Sequence, residues 1–304
     1  KWVAEIDDAA RIPEFVTRAY ATATSGRPGP VVLVLPEDML VEAVDAPEPM
    51  PCMPVETAPS PAAMDALCGY LERASRPFVI LGGSGWTREA VSHFQSAAEK
   101  WALPVGVSFR RQMLFDHLHP CYAGDVGISI NPALARRVKD ADLVLLIGGR
   151  MSEMPSQDYT LLKSPYPDQT LVHVHASAEE LGRVYRPALA IHSRPAAFAE
   201  AFAALTPPAA PPAWADETPK AHAEYRAWST PPETGPGDVA MGPIMTHLEE
   251  VLPPDAILTN GAGNYATWLH RFHRFRRFAT QGAPTSGSMG YGVPGAVAAK
   301  LLFP

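Results

Sequence analysis

The sequence predicts an α/β protein built around a Rossmann-like parallel sheet. Two short runs end in glycines and are typical of strands buried on both faces: PFVILGG (77–83), which is wholly apolar, and DLVLLIGG (142–149), which is apolar after Asp142. Between such runs the apolar residues take the spacing of a helix face, as in 64–71. Alternating strands and helices favour a parallel sheet covered by helices on both faces. A hydrophobic content of 47% with 19% charged residues is typical of a globular chain.

Two proline-rich tracts divide the chain into three parts. The 33 prolines concentrate near 46–61 and 206–237. Stretches of this kind, which lack apolar periodicity, are typical of extended linkers. We therefore predict folded parts at 1–45, 62–205 and 238–304, joined by those two linkers. Long surface loops within a single domain are the alternative.

The first part contains too little structure to bury a core by itself. Ile12 to Thr24 predicts a helix, and Val31–Leu35 predicts a buried strand closed by Pro36. The segment between them, SGRPGP (25–30), predicts a turn. One helix and one strand leave most of their apolar surface exposed. Because the last part also looks incomplete, we expect the chain to be an excerpt of a longer protein.

The middle part supplies the strands of the central sheet. In chain order its predicted elements are a helix around 64–71, a strand at 77–83, a helix at 90–101, a strand at 103–108, a helix at 132–141 and strands at 142–149 and 170–176. Ser177 and Glu180 have the spacing of a capping box and predict a further helix start. Ligands bind parallel sheets at the carboxyl ends of the strands. The residues predicted to face a ligand there are Gly82, Gly83, Ser84, Gly85, Gly148 and Gly149.

The last part repeats a pattern of strand, glycines and helix. Its predicted elements are a helix at 243–252, a strand at 256–260, a helix at 265–272, a strand at 276–280 and a glycine-rich turn into a helix within 284–302. Glycine allows a ligand to approach the backbone closely, and a helix start exposes N–H groups to a phosphate. The two glycine turns, in 259–268 and 285–300, are therefore predicted to hold two ends of one cofactor. Close packing of a helix on a sheet is the alternative for Gly292 and Gly295.

Charge and composition argue against several classes of protein. The formal net charge of −7 (25 Lys and Arg against 32 Asp and Glu) disfavours nucleic-acid binding. The basic segment HRFHRFRRF (270–278) is therefore predicted to connect a helix to a strand rather than to bind nucleic acid. No run reaches the roughly 18 apolar residues of a membrane span, and the acidic beginning does not resemble an export signal. Cys52, Cys68 and Cys121 have no CxxC spacing, which favours a reducing cytoplasm.

Four histidines alternate within two short extended segments. They are His117, His119, His173 and His175. Paired histidines on a strand can bind a metal, but no carboxylate or cysteine accompanies these at ligand spacing. We predict that they are structural and that this chain supplies no metal site.

The segment GGSGWTRE (82–89) partly matches a dinucleotide-binding fingerprint. It follows a predicted strand and precedes a predicted helix, but Arg88 stands in the place of the third glycine. No acidic residue closes the next strand, at 103–108. A nicotinamide-dependent dehydrogenase therefore remains an alternative that depends on Gly83 and Gly85 alone.

Four segments carry a resemblance to a known family. GSMGYGVPGAVAAK (287–300) resembles the glycine–methionine–glycine segment of the thiamine-diphosphate enzymes of the acetolactate synthase family, and ILTNGAGNYATW (257–268) resembles the preceding diphosphate-contacting loop. SGRPGPVVLVLPEDM (25–39) resembles the end of that family's pyrimidine-binding domain, and ADLVLLIGGR (141–150) resembles a late strand of its central domain. The resemblance implies a Rossmann-like central domain flanked by partial pyrimidine-binding and diphosphate-binding α/β domains.

The resemblance implies thiamine diphosphate and Mg²⁺ as cofactors. Met289 matches the side chain that wedges between the two rings of the cofactor and keeps it in a V shape, and the Gly287 carbonyl would accept a hydrogen bond from the pyrimidine amino group. Where this chain has Asn264 and Tyr265, acetolactate synthases usually have Gln and His, which leaves the particular reaction open. The implied cofactor-binding residues are Ala262, Gly263, Asn264, Tyr265, Gly287, Ser288 and Met289.

Part of the family's machinery lies outside this sequence. The glutamate that protonates the pyrimidine ring belongs upstream of Lys1, and the Gly-Asp-Gly…Asn motif that binds magnesium belongs after Pro304. We expect this chain alone to be inactive. The implied reaction of the parent is decarboxylation of a small, pyruvate-type 2-oxo acid and transfer of the acyl-anion equivalent. An active site shared between subunits implies a homodimer or homotetramer.

The resemblance also implies a flavin site on the central domain. Arg150 occupies the place of the arginine that contacts FAD, but Met151–Pro155 replaces the acidic pair and second arginine that usually follow. Another adenine nucleotide, or none, remains an alternative. If the protein is not an enzyme, the alternative function is that of a non-catalytic nucleotide-binding or assembly module.

Overall fold

The computed structural model describes residues 1–45, 47, 52–235, 237–284 and 286–304. The predicted linkers therefore lie outside the described residues at 46, 48–51 and 236, as does 285 at the start of the second glycine segment. The described strands are β1 (Trp2–Glu5), β2 (Val31–Val34), β3 (Pro77–Leu81), β4 (Val105–Ser108), β5 (Tyr122–Val126), β6 (Leu143–Ile147), β7 (Thr170–His175), β8 (Leu189–His192), β9 (Leu258–Thr259) and β10 (Gln281–Gly282). The described helices are α1 (Ile12–Thr24), α2 (Pro61–Arg73), α3 (Arg88–Lys100), α4 (Pro132–Asp140), α5 (Pro195–Ala203), α6 (Glu217–Trp228), α7 (Met241–Val251), α8 (Ala266–Phe272) and α9 (Gly292–Leu302).

Six strands form one parallel sheet in the order β5-β4-β3-β6-β7-β8. Strand β3 pairs with β4 on one side and with β6 on the other, so the direction of winding reverses between β3 and β6. This is the order of a doubly wound Rossmann-like sheet, in which ligands bind at the point of reversal. The predicted fold class is confirmed.

The central sheet is buried on both faces, as its apolar strands predict. Val79 and Leu81 of β3 pack into a core with α2, α3 and α5, whereas Phe78 and Ile80 pack into a second core with α4. Alternate residues of one strand thus face opposite layers of helix. Because helices cover both faces of the sheet, the side chains of β3 and β6 are buried on both faces. This explains why these strands contain almost no polar residues.

Helix α6 lies inside the tract predicted to be an extended linker. Thr218, Ala221 and Tyr225 are buried, and the helix packs beside β5. Pro219 stands in the first turn, where a missing N–H does no harm to a helix. The prediction of an extended 206–237 is therefore wrong for Glu217–Trp228, because the proline content hid a helical stripe.

Several other boundaries differ from the predictions. The predicted capping box is wrong. Only a 3₁₀ turn follows Ser177, and the Ser177 side chain makes no capping hydrogen bond. The Glu180 carboxylate, the other half of the predicted box, pairs with arginines instead. The strand predicted at 276–280 is wrong, because Ala279 has a left-handed φ of +66° and the strand begins later, at β10. Strand β1, which pairs in parallel with β2, was not predicted, nor were β5, β8 and α5.

The basic segment 270–278 is an interface between the last and middle parts. His270, Phe272 and Phe275 are buried. The backbone N–H of His117 donates to the Phe275 carbonyl at 2.9 Å. The segment therefore connects α8 to the following loop with much of its surface covered. Within the ranges given above, none of the helices combines the length and the apolar character needed to span a membrane.

Candidate functional site

A cavity of about 680 Å³ lies at the carboxyl ends of β3 and β6, where the winding of the sheet reverses. Gly83 and Gly148 meet there backbone to backbone. Both have left-handed φ angles, +70° and +71°, and a Cβ on Gly83 would overlap the Gly148 carbonyl oxygen. Glycine is required at Gly83 for two independent reasons, the backbone angle and the close approach.

Most residues predicted to face a ligand at this edge line the cavity. The lining residues among them are Gly83, Ser84, Gly148, Gly149 and Arg150. Gly82 lies beneath the surface, where its carbonyl accepts a hydrogen bond from the Trp86 indole N–H at 2.8 Å. Gly85, with a φ of +87°, packs near Arg194 instead. Gly82 and Gly85 therefore shape the turn without lining the cavity, and their contact with a ligand stays a prediction.

The cavity is strongly cationic. Arg27, Arg110 and Arg111 line it together with Arg150, and no carboxylate occurs among the described lining residues. Glu180 stands behind two of them, 2.9 Å from Arg27 and 3.6 Å from Arg150. An anion with several oxygen acceptors, such as a diphosphate, suits this arrangement.

Sequence reasoning missed three of these four arginines. Arg27 lies in the turn before β2, in the part predicted to be incomplete, and it reaches the cavity only because that part packs near the central sheet. Arg110 and Arg111 follow directly after β4. Their position at the carboxyl end of a predicted strand was the signal that could have found them.

Arg110 carries a hydrogen-bonding group that the protein leaves unused. Its Nε is buried and has no hydrogen-bond partner among the described residues. Burial also lowers the pKa of Arg111, whose Nε donates to the Gly83 carbonyl at 2.6 Å. A buried donor without an acceptor is costly, and an oxygen of a bound anion would satisfy it. The residues present therefore fit a phosphate-bearing ligand.

The two glycine turns of the last part meet at the carboxyl ends of β9 and β10, which pair in parallel. The Thr259 hydroxyl donates to the Gly292 carbonyl at 2.6 Å, which joins the end of β9 to the start of α9. A Cβ on Gly292 would lie 3.1 Å from the Gly261 nitrogen. The two predicted glycine turns therefore lie side by side at one end of this small sheet, and that they hold two ends of one cofactor stays a prediction.

The glycines of the second turn have two different roles. Gly292 and Gly295 pack α9 against the end of β9, since a Cβ on Gly292 would lie 3.3 Å from the Asn260 backbone and a Cβ on Gly295 would lie 3.6 Å from the Thr259 methyl group. Gly287 and Gly290 instead have left-handed φ angles of +75° and +85°, and nothing lies within 4 Å of a Cβ built on either. Open space beside an exposed left-handed glycine leaves room for a ligand to approach the backbone.

Met289 lies between those two open glycines and is 85% exposed. It therefore contributes nothing to a hydrophobic core. Ser288 is also exposed, and its hydroxyl lies 3.2 Å from the Ser286 hydroxyl. An exposed methionine on a glycine turn offers a flexible apolar side chain to a ligand.

The stretch predicted to contact a diphosphate is accessible. Gly263, Asn264 and Tyr265 are exposed and Ala262 is half-buried. The Tyr265 hydroxyl, however, accepts a hydrogen bond from the Gly261 N–H at 2.8 Å. Tyr265 thus holds the turn closed through its hydroxyl while its ring stays exposed.

The two candidate sites share a wall. Ala283, Ser286 and Gly287 of the last part line the cationic cavity of the central sheet. Gly287 therefore belongs both to the cavity and to the turn that carries Met289. Sequence reasoning assigned these regions to two separate domains and did not bring them together.

Two of the four histidines make buried structural contacts, and that none of the four binds a metal stays a prediction. His117 is buried, and its Nε2 donates to the Gln112 carbonyl at 3.0 Å. His173 is also buried and donates to the Gly149 carbonyl at 2.9 Å, so it supports a turn of the cavity. Burial lowers the pKa of His117 to about 3 and that of His173 to about 4. His175 differs because it lines the cavity.

Comparisons with known proteins agree with this geometry. Residues 64–202 match the family model "Thiamine pyrophosphate enzyme, central domain". The large subunit of acetolactate synthase isozyme 1 from Escherichia coli is 26% identical over 308 residues, which cover 96% of this chain and 51% of that protein. The acetolactate synthase large subunit of Lactococcus lactis is 25% identical, over 100% of this chain and 53% of that protein. Sulfoacetaldehyde acetyltransferase of Castellaniella defragrans is 24% identical, over 100% of this chain and 54% of that protein.

The chain spans about half the length of the curated relatives it matches. Its middle part, which supplies most of the residues that line the cationic cavity, matches the central-domain model. The similarity to the relatives extends over both flanking parts. Residues 64–202 therefore match the central domain of thiamine-pyrophosphate enzymes, and the chain over its whole length is similar to acetolactate synthase large subunits.

Proposed function

We propose that the protein is a thiamine-diphosphate-dependent carboligase or decarboxylase that acts on a small 2-oxo acid. The observation that carries the proposal is the pair of glycine turns at the ends of β9 and β10, with Met289 exposed between two open, left-handed glycines. When bound, thiamine diphosphate would supply the thiazolium carbon that adds to the 2-oxo group and accepts the electron pair left by decarboxylation.

The residues of this chain would bind and orient that cofactor. The Gly287 carbonyl would accept a hydrogen bond from the pyrimidine amino group, and Met289 would wedge between the rings. The exposed stretch 262–264 would face the diphosphate, while Tyr265 would hold the turn in shape. Mg²⁺ belongs to the proposal as the counter-ion of the diphosphate. The described residues contain no group of three or more His, Cys, Asp or Glu that could hold a metal, so none is assigned to it.

We also propose that the cationic cavity binds the phosphates of FAD or another adenine nucleotide. Four arginines, two backbone turns in close contact and the unused Nε of Arg110 support this proposal. A nicotinamide dehydrogenase has weaker support. Strand β4 ends at Ser108, where that class needs a carboxylate for the ribose, and Arg88 begins α3 in the place of the third glycine.

A homodimer or homotetramer completes the proposal. Its support is the resemblance described above, which implies an active site shared between subunits. Light scattering coupled to gel filtration would measure the oligomeric state. A protein that stays monomeric at micromolar concentration would contradict this part.

Titration calorimetry with thiamine diphosphate and Mg²⁺ tests the cofactor. Assays of CO₂ release from pyruvate and of sulfoacetaldehyde consumption then separate the reactions for which the relatives are named. We expect saturable cofactor binding and, in the full-length parent protein, turnover of a 2-oxo acid. Binding of ADP or FAD without binding of thiamine diphosphate would support the non-catalytic nucleotide-binding module instead.

A further inference from the structure

The loop after β4 carries the turn that leads to the proposed thiamine site. The Gln112 N–H donates to the Gln281 side-chain oxygen at 3.0 Å, and the Gln281 amide donates in return to the Gln112 side-chain oxygen. Three residues after Gln281, the Pro284 carbonyl accepts a hydrogen bond from the Arg110 guanidinium. The central domain thus holds the last part at two successive points just before Gly287.

Arg110 acts on the one carbonyl that starts this turn. The Pro284 oxygen also accepts the Gly287 N–H, at 3.4 Å. Beyond it, the described residues 286–290 are exposed, and the contact between the hydroxyls of Ser286 and Ser288 is made within the turn itself. Few contacts hold such a segment, so a charged donor on its first carbonyl has a large effect on its conformation.

The other end of this connection is the cationic cavity. Arg110 has a left-handed φ of +59°, which is unfavourable for a residue with a side chain, and its guanidinium lies 4.7 Å over the Phe109 ring. The next residue, Arg111, donates to the Arg110 carbonyl at 2.9 Å and to the Gly83 carbonyl at 2.6 Å. Two adjacent arginines therefore connect a turn of the cavity to the turn of the thiamine site.

We infer that Arg110 is a positioning residue that presets the Gly287–Met289 turn and connects it to the cavity at Gly83. This inference rests on the proposed function, because it assigns the turn to the thiamine site. An anion in the cavity would occupy the unused Nε of Arg110 and restrain its guanidinium on Pro284. Occupancy of the cavity therefore favours the conformation of the turn that accepts the thiamine cofactor.

Arg110→Gly is the variant that separates positioning from simple stability. Glycine suits the left-handed φ, so the thermal midpoint stays unchanged or rises even though the guanidinium is lost. Hydrogen–deuterium exchange of 286–292, measured without any cofactor, should be about tenfold faster, as expected for loss of one charge-assisted hydrogen bond. Arg110→Lys should restore slower exchange in part. Ser129→Gly is the control, because Ser129 also has a left-handed φ, +60°, but is exposed; it should change nothing in 286–292.

Two further measurements complete the test. ADP, used as the probe, should slow exchange of 286–292 in the wild type and not in Arg110→Gly. The variant should also bind thiamine diphosphate about tenfold more weakly than the wild type. Unchanged exchange in Arg110→Gly overturns the positioning role, and an ADP effect that survives in the variant overturns the connection. A wild type that binds no thiamine diphosphate contradicts the proposed function, whereas the exchange data still decide the role of Arg110.

Discussion

The Tyr265 hydroxyl accepts a hydrogen bond from the Gly261 N–H at 2.8 Å and so closes the first glycine turn on itself. Gly261 is buried, whereas Tyr265 is 57% exposed. The Tyr265 hydroxyl therefore stabilises the conformation of the turn. The departure from the Gln-His pair usual in acetolactate synthases therefore has a structural consequence, because Tyr265 stabilises the loop that we propose faces the cofactor.

Tyr265→Phe should loosen that turn. The Gly261 N–H loses its partner, so the free energy of unfolding should fall by about 1 kcal/mol and the affinity for thiamine diphosphate should fall several-fold. Urea denaturation and calorimetric titration measure the two effects. Tyr166→Phe, at a tyrosine that is 62% exposed, is the control. Equal behaviour of the two variants would contradict a role for the Tyr265 hydroxyl.

In the full-length parent protein, Met289→Ala should reduce turnover with little effect on folding. The side chain is 85% exposed, so its loss removes almost no core packing. If Met289 keeps the cofactor in its V shape, kcat should fall by about a hundredfold, since a misplacement of roughly 1 Å has that effect, while cofactor affinity changes much less. Met53→Ala, at a methionine that is 82% exposed, is the control. A lower thermal midpoint with an unchanged kcat would show that Met289 is only structural.

Gly83→Ala should be far more damaging than Gly182→Ala. Both glycines have left-handed φ angles, +70° and +84°, but only at Gly83 would the new Cβ overlap a backbone oxygen, that of Gly148. Nothing lies within 4 Å of a Cβ on Gly182, so the φ angle alone should cost about 1 kcal/mol there. At Gly83 we expect a loss of about 3 kcal/mol or more in the free energy of unfolding. Similar losses in the two variants would show that the two turns do not approach as closely as described.

The protein should lose stability as the pH falls below about 6.5. Burial lowers the pKa of His117 to about 3 and those of His173 and His270 to about 4, so all three stay neutral in the folded state. The unfolded chain binds protons at these residues from about pH 6.5 downward, which favours unfolding until the folded pKa values are reached. Burial raises the pKa of Asp125 to about 7. Below that pH the folded state binds one proton at Asp125 that the unfolded chain does not bind, which favours folding and offsets one of the three histidines.

The net difference of two protons predicts a slope on the order of 2 kcal/mol per pH unit between about pH 6 and 4.5. Urea denaturation at pH 5 and pH 7 measures it. In His117→Gln the net difference falls from two protons to one, so the difference in stability between the two pH values should shrink by roughly half. Equal stability of the wild type at both pH values would contradict the burial of uncharged histidines.

Local patterns predicted the glycine turns and the strands that carry them. A strand buried on both faces needs an unbroken apolar run, and a left-handed or closely approached position needs glycine, so β3, β6, Gly83 and Gly287 are visible in the sequence itself. The helix in the proline-rich tract was hidden because Pro219 is acceptable in a first turn, which composition alone does not distinguish from a linker.

The sequence by itself determined the class of fold, the two glycine turns and the resemblance to thiamine-diphosphate enzymes. Only the tertiary structure decided that Arg27, Arg110 and Arg111 line one cavity with Arg150, and that Gly287 shares its wall. The physical reason is that a cationic site sums charges contributed by segments far apart in the chain. Each arginine alone has the local pattern of a solvated surface residue, and the order of strands in the sheet is what brings them to one edge.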